Sequence, residues 1–64
     1  MELQNSRIRE IIGEYVQGER DRMIMERRLI DKIVIDRLAE EFELSDTQIK
    51  RIVKKWSVAI FKHY

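Results

Sequence analysis

The sequence predicts an all-α fold, a small bundle of about four helices that includes a helix-turn-helix. Three observations carry that expectation. Proline is absent and glycine occurs only at Gly13 and Gly18, a composition that favours long helices over a turn-rich β-fold. Apolar residues recur along the chain at the i, i+3, i+4, i+7 spacing of a helix face. Ser45 followed three residues later by Gln48 forms a capping box, the strongest helix-start signal in the chain.

Sixty-four residues make one domain, 1–64, able to bury only ~60% of its unfolded surface. Apolar residues make up 44%, enough for a core, and 39% are charged, so the surface is densely ionic. The absence of cysteine excludes disulfides and thiolate metal sites and suits a reducing cytoplasm. No apolar run approaches the ~20 residues of a membrane span, and Met1-Glu2-Leu3 does not open a signal peptide. A cytoplasmic protein without a membrane partner is expected. One histidine and no room for a cleft argue against an enzyme, and no cofactor is expected. His63, penultimate and alone, reads as a solvated side chain rather than a metal ligand.

The formal net charge of +1 conceals a polarity along the chain. Residues 1–44 carry a net of −3, whereas residues 45–64 set Lys50, Arg51, Lys54, Lys55 and Lys62 against Asp46 alone, a net of +4. Such a split is the footprint of a terminal element that meets a polyanion. Lys50 and Arg51 lie too early in the last helix to be explained by the macrodipole at its C-terminus.

The segment 1–18 holds the first helix, from about Ser6 to Gln17. Ile8, Ile11, Ile12, Tyr15 and Val16 form its apolar face, Asn5 or Ser6 caps it, and Gly18 is placed to end it. The segment 19–31 is an ionic helix with Met23, Ile24, Leu29 and Ile30 pointing inward. Its other face is a ladder of Glu19, Arg20, Asp21, Arg22, Glu26, Arg27 and Arg28. Asp31-Lys32-Ile33 connects to the pair of helices in 34–62. The first of these, Val34 to Glu43, buries Leu38, Ala39 and Phe42, with Asp36 in its first turn. In the second, Ile49, Ile52, Val53, Trp56 and Ile60 trace an apolar stripe to about Lys62. That stripe is core, and Trp56 needs no ligand to account for it.

Two helices separated by a short turn and followed by a basic face have the form of a DNA-reading helix-turn-helix. Ala39 is small where the second helix must cross closely. Glu43-Leu44-Ser45 makes the turn, Leu44 plugs the gap between the helices, and Ile49 and Ile52 anchor the second from beneath. The face opposite the stripe presents Asp46, Thr47, Lys50, Arg51 and Lys54. The N-terminal part of a recognition helix enters the major groove, which makes Asp46, Thr47, Lys50 and Arg51 the candidate base readers. Arg51 suits guanine, and Asp46 suits a cytosine amine or a neighbouring cation. Lys54, Lys55 and, on the preceding helix, Arg37 suit phosphates. Ser45 and Gln48 complete the candidate DNA-binding set.

The run from Gly18 to Leu29, then Leu38-Ala39-Glu40-Glu41-Phe42-Glu43-Leu44-Ser45 and Ile49-Lys50-Arg51, resembles the C-terminal, promoter-reading domain (region four) of bacterial sigma factors. Small phage and prophage transcriptional regulators carry similar domains. The likeness covers roughly residues 18–62. It implies that the second helix of the pair reads a −35-type promoter element, and that RNA polymerase is a second partner. Ser45 matches the family's serine at the turn, and Lys50 its frequent lysine after a buried β-branched residue. Arg27-Arg28-Leu29 matches a segment whose arginine contacts the DNA backbone or supports the fold. Lys32 and Glu43 stand where the family often has glycine, and Val34 where a threonine caps the helix. A missing cap costs typically ~1 kcal/mol. Glu43 in a left-handed turn costs roughly 1 kcal/mol more than glycine.

The leading functional expectation is a sequence-specific regulator that binds double-stranded DNA through residues 45–55. One small module makes few contacts, so a homodimer is expected, through the first helix or the Trp56-Phe61-Tyr64 end. Phe61 and Tyr64 equally suit covering the core. The rival is a protein-binding module on the same scaffold that grasps RNA polymerase, a sigma factor or a host defence protein. The ionic second helix would then be the interface. A small terminase-type packaging subunit fits less well, because no oligomerisation segment is evident.

Overall fold

The computed structural model describes residues 4–64, which form four helices and no strand. Residues 1–3 of the expected N-terminal segment lie outside the described residues. The helices are α1 (Asn5–Tyr15), α2 (Glu19–Leu29), α3 (Ile35–Phe42) and α4 (Asp46–His63). The 18 residues of α4 extend about 27 Å, close to the 28 Å long dimension of the molecule. It touches all three other helices. Among the described residues α1 and α3 do not meet, so α2 and α4 separate them.

Two apolar clusters follow from this layout. One gathers Ile8, Ile11, Ile12 and Val16 with Met25 and Ile60, and Leu29, Trp56 and Tyr64 pack around it. The other joins Ile24, Leu38, Ala39 and Ile49, with Ile33, Ile35, Phe42, Leu44 and Ile52 at its edge. Val53 borders both. Helix α2 serves the two clusters with consecutive residues: Ile24 faces one and Met25 the other, both fully buried. Successive side chains on a helix diverge by about 100°, so a helix wedged between two clusters can bury neighbours. The expectation for Met23 is corrected here. It lies on the opposite side of α2, 46% exposed, and Met25 takes the inward position.

The ends of the helices depart from expectation in informative ways. Neither Asn5 nor Ser6 caps α1; both lie within the helix, and Gln4 precedes it without a side-chain cap. Helix α1 closes at Tyr15, and Val16 turns into extended backbone with its side chain fully buried. Gly18 therefore opens α2 rather than ending α1, at φ 92° and ψ 129°. That backbone is open to glycine and costly for any residue with a Cβ. Helix α3 begins at Ile35 after an extended Val34, which supplies no side-chain cap.

Both positions where glycine would be usual are left-handed: Lys32 at φ 58° and Glu43 at φ 55°. At Glu43 the reason is visible. Its N–H donates to Glu40 O at 3.4 Å, and Leu44 N–H donates to Ala39 O at 3.0 Å. These two bonds define a Schellman motif, whose hydrophobic closure pairs the residue after the turn with the last helical turn. Leu44 and Ala39 are that pair, in one cluster. Burial of Leu44 offsets the ~1 kcal/mol that a left-handed glutamate costs.

Helix α4 starts as expected. Ser45 Oγ accepts from Gln48 N–H at 3.1 Å, and Gln48 Oε1 accepts from Ser45 N–H at 2.9 Å. At the far end the residue before α1 meets the residue after α4: Gln4 N–H donates to the Tyr64 hydroxyl at 2.9 Å. Tyr64 packs against the first cluster, while Phe61 stays 49% exposed, so only one of the two covers the core.

Candidate nucleic-acid interface

The side chains of Arg37, Ser45, Asp46, Thr47, Gln48, Lys50, Arg51, Lys54 and Lys55 are all exposed. Eight of them lie on the first three turns of α4 or its cap, and Arg37 lies on α3. Ile49 is fully buried and Ile52 and Val53 half-buried on the other side of α4, which turns Thr47, Lys50, Arg51 and Lys54 outward. The Schellman turn and the capping box hold both ends of the three-residue link, so the direction of α4 relative to α3 is set by hydrogen bonds at both ends and not by a slack loop.

The cations carried by the helices divide by region. Arg7 pairs with Glu10, Arg9 with Glu26, and Arg20 with Asp21. Arg27 sits between Asp31 and Glu41; its Nε is 2.8 Å from Glu41 Oε1, an ion pair whose N–H does not point at that oxygen. Arg22 Nε donates to Val16 O at 2.8 Å, where α1 ends, and Arg28 Nη1 donates to Ile33 O at 3.2 Å, in the link to α3. Every arginine of α1 and α2 is thus engaged within the protein. Among the described residues, by contrast, none of Arg37, Lys50, Arg51, Lys54, Lys55 and Lys62 is ion-paired. Lys55 alone has a different neighbour, its Nζ standing 4.6 Å from the centre of the Trp56 ring.

The acids near this face bear on its chemistry. Asp46, in the first turn of α4, has its carboxyl held above the ordinary carboxylate value. The main cause is a hydrogen bond shared with the Asp36 carboxyl, followed by loss of hydration and the charge of Asp36, against an opposing pull from Lys50. Asp36 lies in the first turn of α3, so two helix starts bring their acids together beside the basic face. Sequence reasoning took Asp46 alone and had no way to pair it with a residue on another helix.

Two further features escaped the sequence. Trp56 Nε1 donates to Asp21 Oδ2 at 2.9 Å across 35 residues, tying the start of α2 to the middle of α4. His63, read as solvated, stacks on Tyr15 with ring centres 3.9 Å apart and planes 2° from parallel. Among the described residues no helix is long and apolar enough to cross a membrane. No protein-family model matches the chain, and no curated protein or solved structure matches it either.

Proposed function

We propose that this chain is a sequence-specific DNA-binding transcriptional regulator of the sigma region-four type. Its recognition segment, residues 45–55, enters the major groove as the second helix of a helix-turn-helix. The single observation that carries this reading is the unpaired state of the cations on α3 and α4 beside the full internal engagement of those on α1 and α2. Unpaired, exposed guanidinium and ammonium groups on one rigid helix are what a phosphate backbone and guanine edges require. Thr47, Lys50 and Arg51 then meet base edges, with Asp46 accepting from a cytosine amine. Lys54, Lys55 and Arg37 meet phosphates. Ser45 and Gln48 hold the start of the helix against the duplex. Val58 and Phe61, 67% and 49% exposed on the later turns of α4, offer an apolar surface for a homodimer or for RNA polymerase.

A second reading, a protein-binding module on the same scaffold, draws support from those exposed apolar residues and from the Asp36–Asp46 pair, which repels phosphate. The ionic face of α2 supports it less than its composition suggests, because most of its charges are already engaged. The deciding experiment is selection from a random duplex pool at two salt concentrations, followed by sequencing. A defined motif whose binding falls steeply with salt is the expected result, and its symmetry reports whether a dimer binds. Weak binding without a motif sinks the DNA reading. Capture of RNA polymerase then becomes the next measurement.

A further inference from the structure

On the outer side of α2 lies a shallow groove of about 220 Å³ lined by Met23, Glu26, Arg27 and Asp31. Met23 supplies its apolar surface, and two carboxylates stand there against the one guanidinium of Arg27. These acids are loosely held. Asp31 is 3.9 Å from Arg27, which lies closer to Glu41 at 2.8 Å, and Glu26 meets Arg9 at 3.4 Å in the open. Exposed pairs of this kind contribute little and exchange partners at small cost. On the last turns of α4, exposed Val58, Phe61 and Lys62 stand three and four residues apart and so form one patch. Lys62 is not ion-paired among the described residues, and none of the three belongs to the recognition segment 45–55. Groove and patch face away from each other, because α2 and α4 pack together through their buried residues while Met23 and Val58 lie on their outer sides.

We infer that this groove receives the Val58, Phe61 and Lys62 patch of a second copy of the chain, so that copies join head to tail. The inference does not depend on the DNA-binding reading. A cavity of about 150 Å³ takes a benzene ring, so the groove has room for the Phe61 ring against the sulfur of Met23. Lys62 then meets Asp31 and Glu26, whose charge Arg27 only partly offsets. Charge complementarity selects this mate over a two-fold contact between two α4 patches. There Lys62 of each copy, with Lys54 and Lys55 on the preceding turns, would face like charge. Because patch and groove look in opposite directions, one copy cannot satisfy both with the same neighbour. The contact is therefore heterologous, and it propagates as an open array or closes as a ring. An interface this small belongs to the weak class, below about 1,200 Å².

The test is sedimentation velocity on the whole chain up to about 500 µM, with thermal melting measured alongside. The wild type is expected to self-associate with a Kd on the order of 10–100 µM, more weakly as salt is raised. Phe61→Ala, which empties the patch, and Met23→Lys, which sets a cation against Lys62, are each expected to weaken association at least about tenfold. Both side chains are about half exposed, so melting should change little. Mixed in equal amounts, the two variants are expected to form a dimer and nothing larger, because one intact patch meets one intact groove. Carbodiimide coupling of the wild type, mixed from labelled and unlabelled chain, supplies the second readout: amide cross-links between copies join Lys62 to Asp31 or Glu26. A wild type that stays monomeric throughout overturns the inference. Loss of association in Phe61→Ala but not in Met23→Lys shows that the patch meets its own copy, and overturns it too. Cross-links from Lys62 only to other carboxylates do the same. Should either variant melt early, the wild-type cross-links decide.

Discussion

Helices α1 and α2 turn their arginines onto the protein, and helices α3 and α4 leave their cations to solvent. In the first pair Arg22 and Arg28 reach backbone carbonyls that the adjoining links would otherwise leave without partners, and Arg9 and Arg27 reach acids on another helix. In the second pair Lys50, Arg51 and Lys54 form no ion pair among the described residues, although Lys50 draws on the Asp46 carboxyl. The contrast teaches that a count of charges says little about a surface until their engagements are known. The −3 of residues 1–44 and the +4 of residues 45–64 express the same division only faintly.

The largest expected effect separates the two regions directly. Lys50→Ala with Arg51→Ala is expected to weaken specific DNA binding at least about thirtyfold, since each base-edge contact is worth roughly 1–3 kcal/mol. Helix content and melting should stay almost unchanged. Loss of folding in that variant would show these residues to be structural and break the contrast. Arg22→Ala with Arg28→Ala is expected to behave in the opposite way. Each loses a part-buried bond to a carbonyl, about 1 kcal/mol, so together they should lower the melting temperature by roughly 8–16 °C. Calorimetry checks this, and an unchanged melt would mean the arginines of α2 are no more committed than those of α4.

A smaller pair of effects compares the links that begin each region. Gly18→Ala is expected to destabilise by about 1–3 kcal/mol through its φ of 92° alone, since nothing lies within 4 Å of the added Cβ. Glu43→Gly should stabilise by about 0.5–1 kcal/mol, the left-handed strain relieved less the added unfolded-state entropy. Urea titration of both variants measures the two signs. Equal signs would refute this account of the turns.

The smallest effect concerns pH. Because the Asp46 carboxyl is raised by Asp36, the protonated form is favoured in the folded state. The stabilisation linked to that proton is present at low pH and is lost as pH rises through the raised value of Asp46. Asp36→Asn should return the Asp46 titration, followed by carboxyl-carbon NMR, toward the ordinary value. An unshifted titration would show that the two acids do not interact.

Much of the fold was legible because helical periodicity and caps are local. The stripe Ile49, Ile52, Val53, Trp56 and Ile60, the Ser45–Gln48 box and the boundary at Gly18 all follow from neighbours in the chain. The misplacement of Met23 had a physical cause. A helix packed on one side hides a single stripe, but α2 lies between two clusters and hides Ile24 and Met25 together. The missing cap on α1 is also local, yet Asn5 and Ser6 are permitted inside a helix, and their identities alone did not say which side of the boundary they occupy.

The sequence by itself determined the helical class, the exposed face of α4 and the sites of unusual turns, since each depends on residues within a few positions of one another. Only the tertiary structure decided which charges remain available. Ion pairs such as Arg27–Glu41, the Trp56–Asp21 bond and the meeting of Asp36 with Asp46 join residues far apart in the chain. Their geometry arises from how two apolar clusters orient four helices, and the chemistry of the surface is settled by that packing.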